Sequence, residues 1–166
     1  MSFAPDITEQ LARARADLRM GVPVVLADGA QAALVLAAET LTAQRLADVL
    51  ALGGAPVLAI TARRAETLKA RAYDGNLARV LLPPGATPAW VQSIADPADD
   101  LRAPMKGPLQ TARGGDTAAH SAALDLVKAA RMLPAALVLD LPQGADFARL
   151  HGLTLINLTA AAPILA

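Results

Sequence analysis

The side chains that could do chemistry in this chain are few. There are two histidines, His120 and His151, and no cysteine. The histidines lie far apart, and neither has acidic neighbours at ligand spacing, so no metal site is spelled out locally. A lone helix histidine reads first as structural or exposed, and His120 is the better ligand candidate of the two. No Gly-Lys-Ser or Gly-Lys-Thr phosphate loop occurs, and no Gly-x-Gly-x-x-Gly follows a strand. Gly53-Gly54 and Gly114-Gly115 read as helix punctuation. Ser93 and Ser121 lack a motif that would activate a nucleophile. Asp99-Asp100 are adjacent carboxylates of a type used in acid–base work, but their polar surroundings favour a solvated pair. Arg63, Arg64, Lys69 and Arg71 read as a solvated helix face around Glu66. Asp140 differs, because it ends an apolar run where a charge is costly unless paired. It is the best single site candidate. A structural partner, either an arginine or backbone N–H groups near Gln143-Gly144, is the preferred reading.

Composition narrows the function classes. The chain has 166 residues, 54% of them hydrophobic and 2% aromatic, which is one domain with a core of alanine, leucine and valine. Its 15 basic and 15 acidic residues cancel. Without a like-charge block or aromatic stacking platforms, nothing favours nucleic acid or an anionic membrane. The absence of cysteine excludes disulfides, thiolate metal sites and cysteine nucleophiles. No apolar run approaches the ~20 residues of a membrane span, and Met1 to Asp6 is not a signal sequence. A soluble cytoplasmic protein is expected.

The elements that must position these groups are legible from periodicity and caps. Asp116 to Leu141 is the organising stretch. Asp116 or Thr117 is a helix N-cap, sixteen helix-forming residues follow, Pro134 stops them, and Leu137 to Leu141 is a buried strand. Before it come a helix over Asp6 to Met20 with an Asp6–Glu9 capping box and Gly21 as its end. A strand over Val22 to Ala27, a tight turn at Asp28-Gly29 and a strand over Ala32 to Ala38 follow. Thr42 caps a helix over Ala43 to Leu52, and Pro56 to Ile60 is a strand. Thr61 caps a helix to about Ala72. Leu77 to Leu82 is a strand, and Pro88 opens a short helix to Ala95. Residues 96–115 read as a long loop with an edge strand near Met105 to Leu109. Ala145 to His151 is a helix and Leu153 to Leu158 the last strand.

In this order the chain resembles 3,4-dihydroxy-2-butanone 4-phosphate (DHBP) synthase, an enzyme of riboflavin biosynthesis. The residues that carry the likeness are Leu18 to Asp28, Leu34 to Thr42, and Val57 to Ala65 with the helix before it. They continue through Ser121 to Leu126, Leu133 to Val138 and Phe147 to Leu155. The segment from Arg71 to Gly115 matches poorly. The resemblance implies a three-layer mixed α and β fold with a twisted mixed sheet, over residues 1–159. Residues 160–166 are then a tail or the start of an interdomain linker.

The departures bear on function. The family's first strand leads into an acidic loop, Arg-Glu-Asn-Glu-Gly-Asp, that serves the metal and the chemistry. Here the loop is Asp28-Gly29-Ala30-Gln31-Ala32-Ala33 and keeps only Asp28. The metal-ligating histidine of the family's Gly-His-Thr-Glu segment falls on Ala119, with His120 one residue, about 100°, away around a helix. With a three-residue insertion it falls on Asp116. The phosphate loop has no counterpart around Leu82 to Ser93, and the late glutamate becomes Asp140. The resemblance therefore implies a catalytically degenerate module with no cofactor, whose vestigial pocket holds Asp28, Asp116, His120 and Asp140. A homodimer is expected, as a scaffold beside a GTP cyclohydrolase II domain in cis or in trans. Such a domain is absent from these residues, because its zinc site uses cysteines. One alternative is an active, magnesium-dependent synthase acting on ribulose 5-phosphate with a rebuilt site. Another is a regulatory domain that binds a phosphorylated metabolite through Arg63, Arg102 or Lys106.

Overall fold

The computed structural model describes residues 2–101 and 108–165. Helix α1 spans Ile7–Arg19 and opens with the expected capping box. The Asp6 carboxylate accepts the Glu9 N–H at 2.8 Å, and the Glu9 carboxylate accepts the Asp6 N–H at 3.0 Å. Strands β1 (Val24–Asp28) and β2 (Gln31–Ala37) form a hairpin in which Asp28 faces Gln31 across a two-residue turn. Gly29, at φ +62°, supplies the left-handed residue that such a turn needs. Helix α2 (Ala43–Ala51) and strand β3 (Val57–Thr61) follow, then helix α3 (Ala62–Thr67), strand β4 (Leu77–Leu81) and helix α4 (Pro88–Ala95). Strand β5 (Thr111–Ala112), helix α5 (Ala118–Ala129), strand β6 (Ala135–Asp140), helix α6 (Gly144–His151), strand β7 (Leu155–Asn157) and helix α7 (Leu158–Leu165) complete the chain.

Among the described residues the strands form one sheet in the order β5-β4-β3-β6-β2-β1-β7, antiparallel except for the β1–β7 pair. Strand β6 is central and buried on both faces. Ala136 and Val138 point into one core, with α1, α5 and α7, while Ala135, Leu137 and Leu139 point into the other, with α2, α3, α4 and α6. This is the expected three-layer arrangement on a mixed sheet. No helix among the described residues is long and apolar enough to cross a membrane.

Two helices end earlier than their composition suggests. Helix α3 stops at Thr67 and not near Ala72, and α5 stops at Ala129, well before Pro134. Lys69 (φ +59°) and Arg131 (φ +61°) take the left-handed conformation just past these helices. The N–H groups of Ala70 and Met132 then reach back to the carbonyls of Ala65 and Val127 at 2.8 and 3.0 Å. This is the Schellman closure, usually made with glycine, as Gly21 makes it at the end of α1, where the Val22 N–H donates to the Asp17 carbonyl at 2.9 Å.

Arg64 is also not on a solvated face. It is buried, and its guanidinium clasps Asp100 at 2.8 and 2.9 Å while donating to the Ile94 and Ser93 carbonyls at 2.7 and 3.2 Å. It thereby satisfies carbonyls at the C-terminal end of α4, which lack intrahelical donors. Asp100 is consequently paired, not free in solvent. The edge strand lies at Thr111–Ala112, C-terminal to its expected place. Pro108 and Leu109 are irregular, and 105–107 lie outside the described residues. Residues 160–165, read as tail or linker, belong to α7, whose Ala161 is fully buried.

Arg131 is exposed, so Arg131→Gly removes left-handed strain of about 1–2 kcal/mol against a glycine entropy cost of about 0.5–1 kcal/mol. A rise in the denaturant midpoint worth about 0.5–1 kcal/mol is expected; a fall would mean that the side chain itself stabilises the turn.

Candidate functional site

Three chain ends meet at one end of the sheet. Strand β6 finishes at Asp140, which is opposite Ala33 in β2. The hairpin tip brings Asp28 and Gln31 to the same end. Helix α5 runs back along the sheet from β6, so its N-terminus lies there too. Its entry is held by Asp116, whose carboxylate accepts the Ala118 N–H at 2.9 Å, while Thr117 makes no side-chain cap. Asp28, Asp116, His120 and Asp140 therefore line one cleft with Gln31, Leu26 and Leu158. The four residues singled out from the sequence converge, although 112 positions separate Asp28 from Asp140. The part lined by His120 measures about 40 Å³, room for one or two waters. Past Asp116 and Asp140 it opens into a shallow space of about 430 Å³, and past Asp28 into another of about 470 Å³ that reaches Ser121 and Asp125.

His120 is 6% exposed, and its Nδ1 is buried without a hydrogen-bond partner among the described residues. Burial pushes its pKa below the ordinary histidine value, and the Arg79 charge pushes it further down. Asp140, Asp74 and Asp116 oppose the shift, and the imidazole is neutral at pH 7. Arg79 is itself held in a buried pair. Its Nε and Nη2 donate to Asp74 at 2.8 and 3.1 Å, and its Nη2 also donates to the Gly114 carbonyl at 2.6 Å. Sequence reasoning missed this pair. The available signal was an arginine inside the apolar run Leu77 to Leu81, which demands a buried partner. On the outer wall, burial pushes the Asp125 carboxyl up, with Lys128 opposing.

The expectation of a structural partner for Asp140 is overturned. Its side chain is exposed, and it makes no hydrogen bond or ion pair among the described residues. Strand burial ends at Leu139, and one residue further the cleft admits water, so the carboxylate needs no partner.

The metal that the family resemblance implies does not fit this donor set. Among the described residues, no three His, Asp or Glu side chains group closely enough to hold one ion. Arg63 is exposed on α3 and does not line the cleft. Arg102 and Lys106, the other phosphate-binding candidates, lie outside the described residues. Ser93 donates to the Trp90 carbonyl at 2.7 Å. His151 packs on the Phe147 ring at 4.3 Å in a separate groove between α2 and α6.

No family model matches the chain. A GTP cyclohydrolase-2 from Azospirillum brasilense is 33% identical over 153 residues, which is 87% of this chain; the chain spans 39% of that relative's length. Among solved structures, a DHBP synthase from Candida albicans superposes with a TM-score of 0.69 at 17% identity, covering 94% of this chain and 97% of that one. A two-domain DHBP synthase from A. baumannii gives 0.65 at 19% identity, over 90% of this chain and 56% of that one. A DHBP synthase in complex with two magnesium ions gives 0.64 at 15% identity, over 90% and 93%.

The neutral state of His120 sets a pH dependence. Its folded pKa lies below the unfolded value of 6.5, so the unfolded chain binds the extra proton first. The related stability is complete above about pH 6.5 and is lost as pH falls toward the folded pKa, at up to about 1.4 kcal/mol per pH unit. Urea titrations at pH 7.5, 6.5 and 5.5 should show this loss in the wild type and a smaller one in His120→Gln. Equal slopes would mean that His120 takes up its proton without resistance.

Proposed function

We propose that this chain, which has the DHBP synthase fold and a sequence relative in a GTP cyclohydrolase-2, is a catalytically degenerate synthase-like module. It acts in a cytoplasmic riboflavin-pathway protein of GTP cyclohydrolase II type, as the scaffold that holds or dimerises that protein. The observation that carries the reading is the donor set of the cleft. Its acidic and histidine side chains line a common space, and among the described residues no three of them group closely enough to hold one ion. The hairpin turn that would bring further carboxylates is two residues long and holds glycine and alanine. The relative supplies the context, because a chain spanning 39% of its length leaves room for a second, catalytic part in cis. A scaffold role also suits the exposed apolar side chains of α2 and α6, Leu50 and Leu150 among them.

A second reading, a synthase with a rebuilt site, draws on the convergence of Asp28, Asp116, His120 and Asp140 in one cleft. The two part on a single assay. Incubated with ribulose 5-phosphate and magnesium, the degenerate module releases no formate above background. Turnover within about tenfold of a working synthase, a barrier difference of only about 1.4 kcal/mol, would establish the second reading.

Light scattering at micromolar concentration tests the scaffold role, with a mass of twice 17.0 kDa expected. A mass of one chain would count against dimerisation.

A further inference from the structure

Two Asp-Gly pairs occur in the chain, Asp28-Gly29 and Asp74-Gly75. In such a pair the glycine nitrogen has no neighbouring Cβ to shield it, and it is free to attack the Cγ of the preceding side chain. The fold treats the two pairs differently. The Asp74 side chain is 5% exposed, and both its oxygens are held by the Arg79 guanidinium at 2.8 and 3.1 Å. Arg79 is itself fixed in β4, opposite Ala59 on one side and Ala112 on the other. A two-bond contact of this kind sets the carboxylate's orientation, and turning it away would leave a buried charge unpaired. Asp28 has none of these restraints. It is exposed and makes no hydrogen bond or ion pair among the described residues. The β1–β7 pairing stops at Ala27, so Asp28 is held only by Gln31 across the hairpin turn. Among the described residues the Gly29 N–H donates to no acceptor, and a Cβ built on Gly29 would meet no atom within 4 Å. Ring closure requires the Asp28–Gly29 peptide to rotate out of the extended strand. The tip has room for that rotation, and exposed ends of ladders open locally at little cost.

We propose that Asp28 is a site of spontaneous isomerisation to isoaspartate in the folded protein, and that its pairing with Arg79 protects Asp74 from the same reaction. The Gly29 nitrogen attacks Cγ of the protonated Asp28 carboxyl. The N–Cγ bond forms, the Cγ–OH bond breaks, and water leaves with the amide hydrogen, giving a cyclic imide. Water then adds back. Cleavage of the N–Cγ bond restores aspartate, and cleavage at the other imide carbonyl gives isoaspartate. One water is lost and one is gained, and nothing is oxidised or reduced. In the product the main chain runs through Cβ and Cγ, one methylene longer, and the carboxylate sits directly on Cα. Asp28 lines the cleft with Asp116, His120 and Asp140, so the modification changes the wall of that cleft. The reaction is independent of the scaffold role.

The test is prolonged warm storage of the purified chain in ¹⁸O water near neutral pH, in one sample folded and in another unfolded by urea. Both are then digested in ordinary water. Electron-transfer fragmentation distinguishes isoaspartate from aspartate at each position, and each passage through the imide leaves one ¹⁸O atom in the residue. In the folded sample, labelled isoaspartate should accumulate at Asp28 at least about tenfold faster than at Asp74, each tenfold being about 1.4 kcal/mol of barrier. In urea the two positions should react at similar rates, because the Arg79 pair is gone. Asp28→Glu, whose ring would need one more member, should show no isomer at that position and leave Asp74 as it is in the wild type. The proposal falls if the folded protein forms no isoaspartate at Asp28 while the urea sample forms it at both positions. It falls equally if Asp74 keeps pace with Asp28 in the folded protein, or if the isomer at Asp28 carries no ¹⁸O. None of these results depends on formate release or on the mass of the assembly, so this proposal and the scaffold reading can fail separately.

Discussion

Burial of β6 on both faces is the constraint on which the rest of the structure depends. The strand is hydrogen-bonded to β2 on one side and β3 on the other, and its residues from Ala135 to Leu139 are all buried. Every neighbour takes its direction from it. Helix α5 precedes β6 through a short turn and must run antiparallel to it, so the start of the helix lies beside the end of the strand. Strand β2 is also antiparallel to β6, which puts the β1–β2 turn at that same end. The cleft is therefore a consequence of connectivity. Its three carboxylates come from three places where an element starts or stops, which is where side chains can leave a packed core.

Composition decides how closely the layers approach. With aromatics at 2% of the chain, the core is filled by alanine, valine and leucine, and helices must settle close to the sheet to avoid voids. The contact is tightest at the start of α6, where a Cβ on Gly144 would stand 2.3 Å from the Ala32 Cβ. At Gly54 a Cβ would come within 2.5 Å of the terminal methyl of Leu139. Glycine is needed at 144 for lack of room, and not for a left-handed backbone, whereas at 54 the Leu139 methyl can give way.

Local signals made much of the fold legible. The Asp6–Glu9 box, the caps at Thr42 and Thr61, Pro88 at the start of α4 and the hairpin glycine all act within a few residues, and all appear as expected. The misplaced helix ends are instructive. At Gly21 a glycine marks the left-handed residue, whereas Lys69 and Arg131 adopt the same conformation under the pull of the packing that follows. Charges whose partners lie far along the chain were equally hidden. Arg64 reads as a surface arginine until Asp100 and the end of α4 are brought to it. The ordered family resemblance grouped Asp28, Asp116, His120 and Asp140, and the four line one cleft. Whether each is buried or open depends on where the sheet ends, and no local pattern reports that.

The Arg79–Asp74 pair helps to set the shape of the cleft. A buried ion pair contributes little net stability, because desolvation offsets most of the attraction. Its effect here is positional. By also taking the Gly114 carbonyl, Arg79 ties the approach to α5 to strand β4, which fixes the start of the helix and so the places of Asp116 and His120. Burial first, and the charge of this cation second, push the His120 pKa down against the pull of three aspartates.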